Sequence, residues 1–285
     1  MKKDRSIQHS FNINIKGSLF TIDQPLVMGI LNLTPDSFYD GGFYSTTKNI
    51  LLQTEKMIKD GVDIIDIGAM SSRPYSKELP LDEELSRIRS ILPELIKNFP
   101  KTIFSIDTYR SEIAEYAIDN GISIINDITA GLKDPKILQV AKKYGVPYIA
   151  MHMQGMPQNM QIKPDYQNLI QEIMYFFSER LHMMRRIGIV DIILDVGFGF
   201  GKSQTDNFSL LKNLAIFQEF NCPILVGISR KSMIYKCLGN TPQEALNGTT
   251  ALHFEALRNG ANILRVHDVQ EAKEVIKLYM EYQKS

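Results

Sequence analysis

VDIILDVGFGFGK, residues 190–202, is a short run of branched apolar residues that meets an acid, Asp195, and then breaks into alternating glycines. The run is too short for a helix of ordinary length and is rich in Ile and Val, which suits a strand buried on both faces of a parallel sheet. The same pattern recurs along the chain. The apolar runs are LVMGIL (26–31), VDIIDIG (62–68), TIFSID (102–107), ISIIND (122–127), VPYIAM (146–151), VDIILDV (190–196), PILVGIS (223–229) and ANILRV (261–266). Helical stretches separate them. Ile50, Thr54, Met57 and Ile58 fall at helical spacing ahead of Gly61, where a C-cap is expected. Thr241-Pro242-Gln243-Glu244 fits a capping box with proline at the first helical position, predicting a helix that runs on through ALHFEALRNG to Gly260. Strands alternating with helices imply right-handed βαβ units. Eight such units predict an α/β fold closed as a (β/α)8 barrel; an open, doubly wound sheet is the other arrangement this pattern allows. FNINIKGSLFTI (11–22) alternates around Lys16-Gly17 and predicts a short N-terminal β-hairpin that plugs one end. Residues 1–24 are then an extension, and 1–285 form one domain.

Composition narrows the function. The chain has 285 residues, 44% hydrophobic and 22% charged, enough to bury a large core without disulfides or metals. Its 32 Lys+Arg balance 32 Asp+Glu. That balance, with no basic stripe, argues against a nucleic-acid partner. The start, MKKDRSIQHSFNINIKGSLF, lacks the apolar stretch of a signal peptide, and no run approaches the roughly 18 apolar residues of a membrane span. Cys222 and Cys237 make neither a disulfide framework nor a zinc spacing. The chain is expected in the cytoplasm, with small-molecule partners and no membrane.

Polar residues follow the runs. Asn32 ends the first; Ser71, Ser72 and Arg73 follow the second; Asp107 and Asn126 end the third and fourth; His152 follows the fifth. Asp195 lies in the sixth, Ser229, Arg230 and Lys231 follow the seventh, and Arg265 and His267 close the eighth. A parallel barrel brings all these ends to one mouth, where active sites of such barrels lie. Singly, Asp107 or Asn126 could as well be a helix cap. Asp195 is harder to explain that way, because a carboxylate inside an apolar run is costly unless paired. Two carboxylates and an amide suit the edge of a flat, donor-rich heterocycle. Arg73, Lys231, Arg265 and His267 suit an anion such as a phosphate ester or carboxylate. GFGFGKS is no nucleotide-phosphate loop: that motif needs a glycine five residues before its Gly-Lys pair, and position 196 is Val. His9, His152, His182, His253 and His267 form no HExxH pair.

With these residues in place, MGILNLTPDSFYDGG (28–42), SIDTYR (105–110), IINDITAG (124–131), MHMQGMPQNMQ (151–161), LDVGFGFGK (194–202), GISRKSMI (227–234) and RVHDV (265–269) closely resemble the motifs of the dihydropteroate synthases, in family order across nearly the whole chain. The resemblance implies a TIM barrel, a homodimer and a sulfonamide target. It implies a transferase of folate biosynthesis that condenses 6-hydroxymethyl-7,8-dihydropterin pyrophosphate with p-aminobenzoate by an SN1-like substitution. It assigns the pterin to Asp107, Asn126, Met151, Asp195 and Lys231. It assigns the pyrophosphate to Asn32, Ser72, Arg73, Arg265 and His267, with Mg2+ on Asn32. The p-aminobenzoate falls to Phe38, Asp40, Arg73, Phe200, Lys202 and Ser229. Asn32, Asp107, Arg265 and His267 carry the catalysis.

The second loop departs from the family's common GGESTRPG: it reads GAMSSRPYS, with Met70 for an acid, Ser72 for Thr and Tyr75 for Gly. Val196 stands where the family often has proline. A methyltetrahydrofolate:corrinoid methyltransferase would share the pterin pocket but should lack the Asn32 and SRP loops. A non-catalytic pterin-binding homologue is the alternative from another class. The chain is expected to carry no fused pyrophosphokinase.

Overall fold

The computed structural model describes residues 10–33, 42–70, 78–155 and 164–285, with backbone only for 42–46. Phe11–Ile15 (β1) and Ser18–Ile22 (β2) form the antiparallel hairpin, turning at Lys16-Gly17. Eight parallel strands follow: Leu26–Asn32 (β3), Ile64–Gly68 (β4), Ile103–Asp107 (β5), Ile124–Asp127 (β6), Tyr148–Met151 (β7), Ile192–Asp195 (β8), Ile224–Val226 (β9) and Ile263–Val266 (β10). They close into a barrel in the order β10-β3-β4-β5-β6-β7-β8-β9, each run of the sequence contributing one strand in turn. Closure excludes the open sheet.

Helices ring the barrel: Gly42–Lys59 (α1), Leu81–Asn98 (α2), Ser111–Asp119 (α3), Lys136–Tyr144 (α4), Leu169–Ile187 (α5), Gln204–Lys212 (α6), Ser232–Leu238 (α7), Leu246–Arg258 (α8) and Val269–Lys284 (α9). In α1, Ile50, Thr54 and Met57 are buried as their spacing predicts, but Ile58 is 37% exposed, one position round from the buried stripe. Gly61 N and Val62 N close the helix on the carbonyls of Ile58 and Met57. The Thr241–Glu244 capping box forms, but on a 3-10 turn, Pro242–Glu244; α8 starts afresh at Leu246. The box therefore caps one turn rather than the long helix predicted from it.

Strand alternation sorts side chains into two cores. Outward residues such as Val27, Ile65, Phe104, Ile125, Leu194 and Leu264 pack under the helices. Inward residues stack in layers. The lowest, Met28, Ile64, Ile103, Ile124, Ile149, Ile193, Leu225 and Ile263, is wholly apolar and is sealed from below by Phe11, Ile13, Ile15, Phe20 and Ile22 of the hairpin. Asn14 ties the hairpin down, its N–H donating to Asp191 Oδ2 at 2.7 Å and its amide to Gly145 O at 2.7 Å.

Candidate active site

Two residues further along each strand the inward layer changes character. Asp66, Ser105, Asn126, Met151, Asp195, Gly227 and Arg265 occupy the inward positions after Ile64, Ile103, Ile124, Ile149, Ile193, Leu225 and Ile263. One step higher come Asn32, Gly68, Asp107, Ser229 and His267. Gly68 and Gly227 carry no side chain there, which leaves room inside a mouth whose lining, Met151 apart, is mostly polar. The barrel thus has an apolar floor and a polar bowl.

Arg265 reaches across this bowl. Its Nε donates to Asp66 Oδ2 at 2.7 Å and its Nη2 to Asp107 Oδ2 at 2.7 Å. Asn126 Nδ2 donates to the same Asp66 oxygen at 2.9 Å. Asp66 is fully buried, and its Oδ1 has no partner among the described residues. Burial drives the Asp107 carboxyl above the usual range; Arg265 opposes that, and Asp66 adds to it. The two carboxylates hold Arg265 firmly cationic, against the desolvation that would lower it.

Asp66 is not among the residues that the sequence predicts for the site. It carries the same signal as Asp195, an acid interrupting an apolar run, but it lies within its strand rather than near the end. Arg265 is expected from the sequence to hold an anion. The structure binds its Nε and Nη2 to carboxylates, so Nη1 is the nitrogen these acids do not engage.

Across the bowl, Asp195 is 7% exposed and accepts from Gly197 N at 2.8 Å. Burial raises its carboxyl, while Lys231 pulls it down. Lys231, the N-cap residue of α7, donates to Phe198 O and lies 4.7 Å over the Phe200 ring. Burial lowers its ammonium to about 8, with Asp195 pulling the other way. Met151 joins Tyr109 and Ile128 in an apolar patch at the mouth, flanked by Met70, Met153 and Phe200. Met70, the departure at the second loop, sits with its Sδ 3.9 Å from Tyr109 Oη. A flat ring could lie on this patch with its edge toward Asp107, Asn126, Asp195 and Lys231.

Ser229 Oγ and His267 Nδ1 lie 3.1 Å apart at the rim, and His267 N donates to Ser229 Oγ at 3.2 Å. Arg230 turns outward, its backbone at φ 55°, and grips Asp268 with Nε and Nη2 at 2.8 and 2.7 Å. Lys202 is 2% exposed. The sequence places it beside a ligand; its ammonium bonds to Gly197 O at 2.9 Å, Phe200 O at 3.1 Å and His152 Nδ1 at 3.0 Å. His152 is a buried, hydrogen-bonded histidine, also stacked edge-on against Phe176 at 4.9 Å. Phe38, Asp40, Ser72, Arg73 and Tyr75 lie outside the described residues.

The family described as pterin binding enzyme matches residues 28–267. The dihydropteroate synthase of Escherichia coli K12 is 41% identical over 265 residues, covering 92% of this chain and 93% of that protein. The Yersinia pestis dihydropteroate synthase, solved in complex with a sulfonamide drug, superposes with a TM-score of 0.90 at 37% identity, covering 96% of this chain and all of that one. The Xanthomonas albilineans dihydropteroate synthase, solved with 4-aminobenzoic acid, gives a TM-score of 0.90 at 34% identity, covering 97% and 100%.

Proposed function

The chain belongs to the dihydropteroate synthases, and from that premise we propose how the mouth of its barrel performs their reaction. It is a transferase of folate biosynthesis that condenses 6-hydroxymethyl-7,8-dihydropterin pyrophosphate with p-aminobenzoate. The corrinoid methyltransferase and the non-catalytic homologue are not favoured by relatives this similar.

The observation that carries the site is the ring of Asp66, Asp107, Asn126, Asp195, Lys231 and Arg265 above an apolar floor. The pterin lies on Met151 with its amino and ring N–H groups toward the carboxylates, which match such an edge in two-point fashion. Its methylene then points to the rim, where Arg265 Nη1, His267 and Ser229 face the pyrophosphate. The methylene C–O bond breaks with its electron pair leaving on pyrophosphate. Positive charge on the pterin methylene is favoured by the neighbouring Asp107 carboxylate in a site of low dielectric. The aryl amine forms the new C–N bond and gives up a proton to solvent. Phe200 and Ser229 border the aminobenzoate. Phe38, Asp40, Ser72 and Arg73 complete these subsites by resemblance.

Mg2+ is part of this proposal. Among the described residues no three acidic, histidine or cysteine side chains converge as a metal cage. Asn32, at the end of β3 in the upper layer, offers one hard amide oxygen, which suits a magnesium that keeps its other ligands as water and phosphate oxygens. When bound, the ion would neutralise charge on the departing pyrophosphate.

The homodimer also belongs to this proposal. Leu238 of α7 and Leu278 and Tyr282 of α9 are 54, 66 and 55% exposed, and Tyr282 meets Phe254 of α8 edge-on at 5.7 Å, which supports self-association through this side. The free thiols of Cys222 and Cys237 support a cytoplasmic location. No helix among the described residues is long and apolar enough to cross a membrane.

The test is to incubate the purified protein with both substrates and Mg2+ and to follow dihydropteroate by chromatography. Product that needs Mg2+ and is largely lost in Asn32→Ala and Asp195→Asn is expected. A folded protein that binds pterin yet yields no product would overturn the catalytic reading.

A further inference from the structure

The turn between β8 and α6 is held from beneath more tightly than a connecting loop requires. Lys202 Nζ, with three donors, faces Gly197 O, Phe200 O and His152 Nδ1 at 2.9, 3.1 and 3.0 Å, with His152 O at 3.4 Å. Asn207 Oδ1 accepts from Gly199 N at 2.6 Å, and Tyr166 Oη donates to Gly201 O at 2.8 Å. The turn also lies directly on the segment after β7: a Cβ at Gly197 would stand 1.9 Å from His152 O, and one at Gly201 2.2 Å from Gln154 O. Above, the same turn presents Phe200 to the mouth and Phe198 O to Lys231.

We propose that Lys202, together with His152, is a positioning residue for the aminobenzoate: it fixes the Gly197–Gly201 turn so that the Phe200 ring forms a preset wall of the second-substrate subsite. This deepens the synthase reading and rests on it. The physical case is that a buried ammonium is costly and is kept only where several acceptors converge on it. Burial lowers the Lys202 ammonium to about 7, so the site bears that cost, and any group able to fill the space with fewer polar atoms would be cheaper. As the donor to His152 Nδ1, Lys202 also sets the imidazole tautomer with its proton on Nε2. Positioning of this kind appears as a preset subsite rather than as chemistry.

The experiment is steady-state kinetics of the full chain with each substrate varied in turn, on Lys202→Met, His152→Leu, His152→Asn, Phe200→Ala and the Lys202→Met/Phe200→Ala double variant. Lys202→Met is expected to raise KM for aminobenzoate about tenfold, with kcat and KM for the pterin pyrophosphate changed by less than about threefold. His152→Asn, whose amide oxygen can replace Nδ1 as acceptor, should stay near wild type while His152→Leu follows Lys202→Met. The double variant should be no worse than Phe200→Ala alone, since both act through one ring. A merely structural lysine would lower kcat, through fewer active molecules, with KM unmoved. That result, or multiplying effects in the double variant, would overturn the proposal. If Lys202→Met does not fold, equal KM values for His152→Asn and His152→Leu would overturn it. An inactive wild type would sink the synthase reading instead.

Discussion

Arg265 Nη2 donates to Asp107 Oδ2 at 2.7 Å inside the barrel, so the cation expected to hold the anion is bound to an acid expected to hold the pterin. With Asp66 on Nε, one guanidinium pairs with two acids at once, and it opposes the burial that drives the Asp107 carboxyl above its usual range. Arg265→Met should therefore lose stability as well as activity, by about 3–5 kcal/mol, because it leaves two buried carboxylates uncompensated. Adding Asp107→Asn to it should recover part of that loss without restoring activity, as expected for directly coupled groups. Denaturant midpoints of the single and double variants check this; fully additive losses would refute the coupling.

Gly197 makes a second point of failure, separable from charge. Its φ is +72°, and a Cβ there meets the His152 carbonyl at 1.9 Å, which is backbone and cannot rotate away. Gly197→Ala should cost upwards of about 2 kcal/mol and raise KM for aminobenzoate as the turn shifts. At Gly199 the nearest atom is the flexible Lys231 Cδ at 3.2 Å. There the steric clash is smaller, and Gly199→Ala should be the milder of the two in thermal unfolding and in KM.

The strands were legible because strands buried on both faces need only be short and β-branched, and all eight runs are. Asp195 was legible because an acid inside such a run has to be explained. Asp66 offered the same signal. It escaped because the polar bowl extends one inward layer deeper than the strand ends, and that depth appears only when the register aligns Asp66 with Ser105. The bonding of Lys202 was hidden for a different reason. In sequence it follows a glycine turn at the mouth, but which way its ammonium points depends on the carbonyls of Gly197 and Phe200 and on His152, fifty residues away. Likewise the Thr241 capping box is a true local signal, and tertiary packing, not the box, decides where α8 begins.

The hairpin offers a stabilising change. Lys16 adopts φ 52° in the Lys16-Gly17 turn, a conformation that favours asparagine at the first central position of a tight hairpin. Lys16→Asn should raise stability by about 0.5–1 kcal/mol with no change in turnover. An unchanged or lower thermal midpoint would show that the plug, rather than its turn, sets the stability of this end.

His253 makes the sharpest pH prediction. It is 2% exposed on α8, and neither ring nitrogen has a partner among the described residues. Burial lowers its imidazolium to about 4, with Asp268 pulling weakly upward. The folded value is below the unfolded value near 6.5, so between these two the unfolded chain binds more protons and stability falls as pH drops. Each tenfold difference in proton affinity between the folded and unfolded chain is worth about 1.4 kcal/mol, so the full loss from this group approaches about 3 kcal/mol by about pH 4. Asp127 and Asp195, raised by burial, act in the reverse sense, since their folded forms hold protons longer as pH rises. Those acids are the same in a His253→Leu variant and cancel in the difference. His253→Leu should thus be modestly more stable at about pH 7.5, by about 1 kcal/mol for two unsatisfied nitrogens removed, and its advantage should widen steadily from about pH 6.5 downward. Urea midpoints across roughly pH 4.5–8 for the two proteins measure this directly. A difference that stays constant across that range would mean that His253 finds a partner or a proton in the folded state.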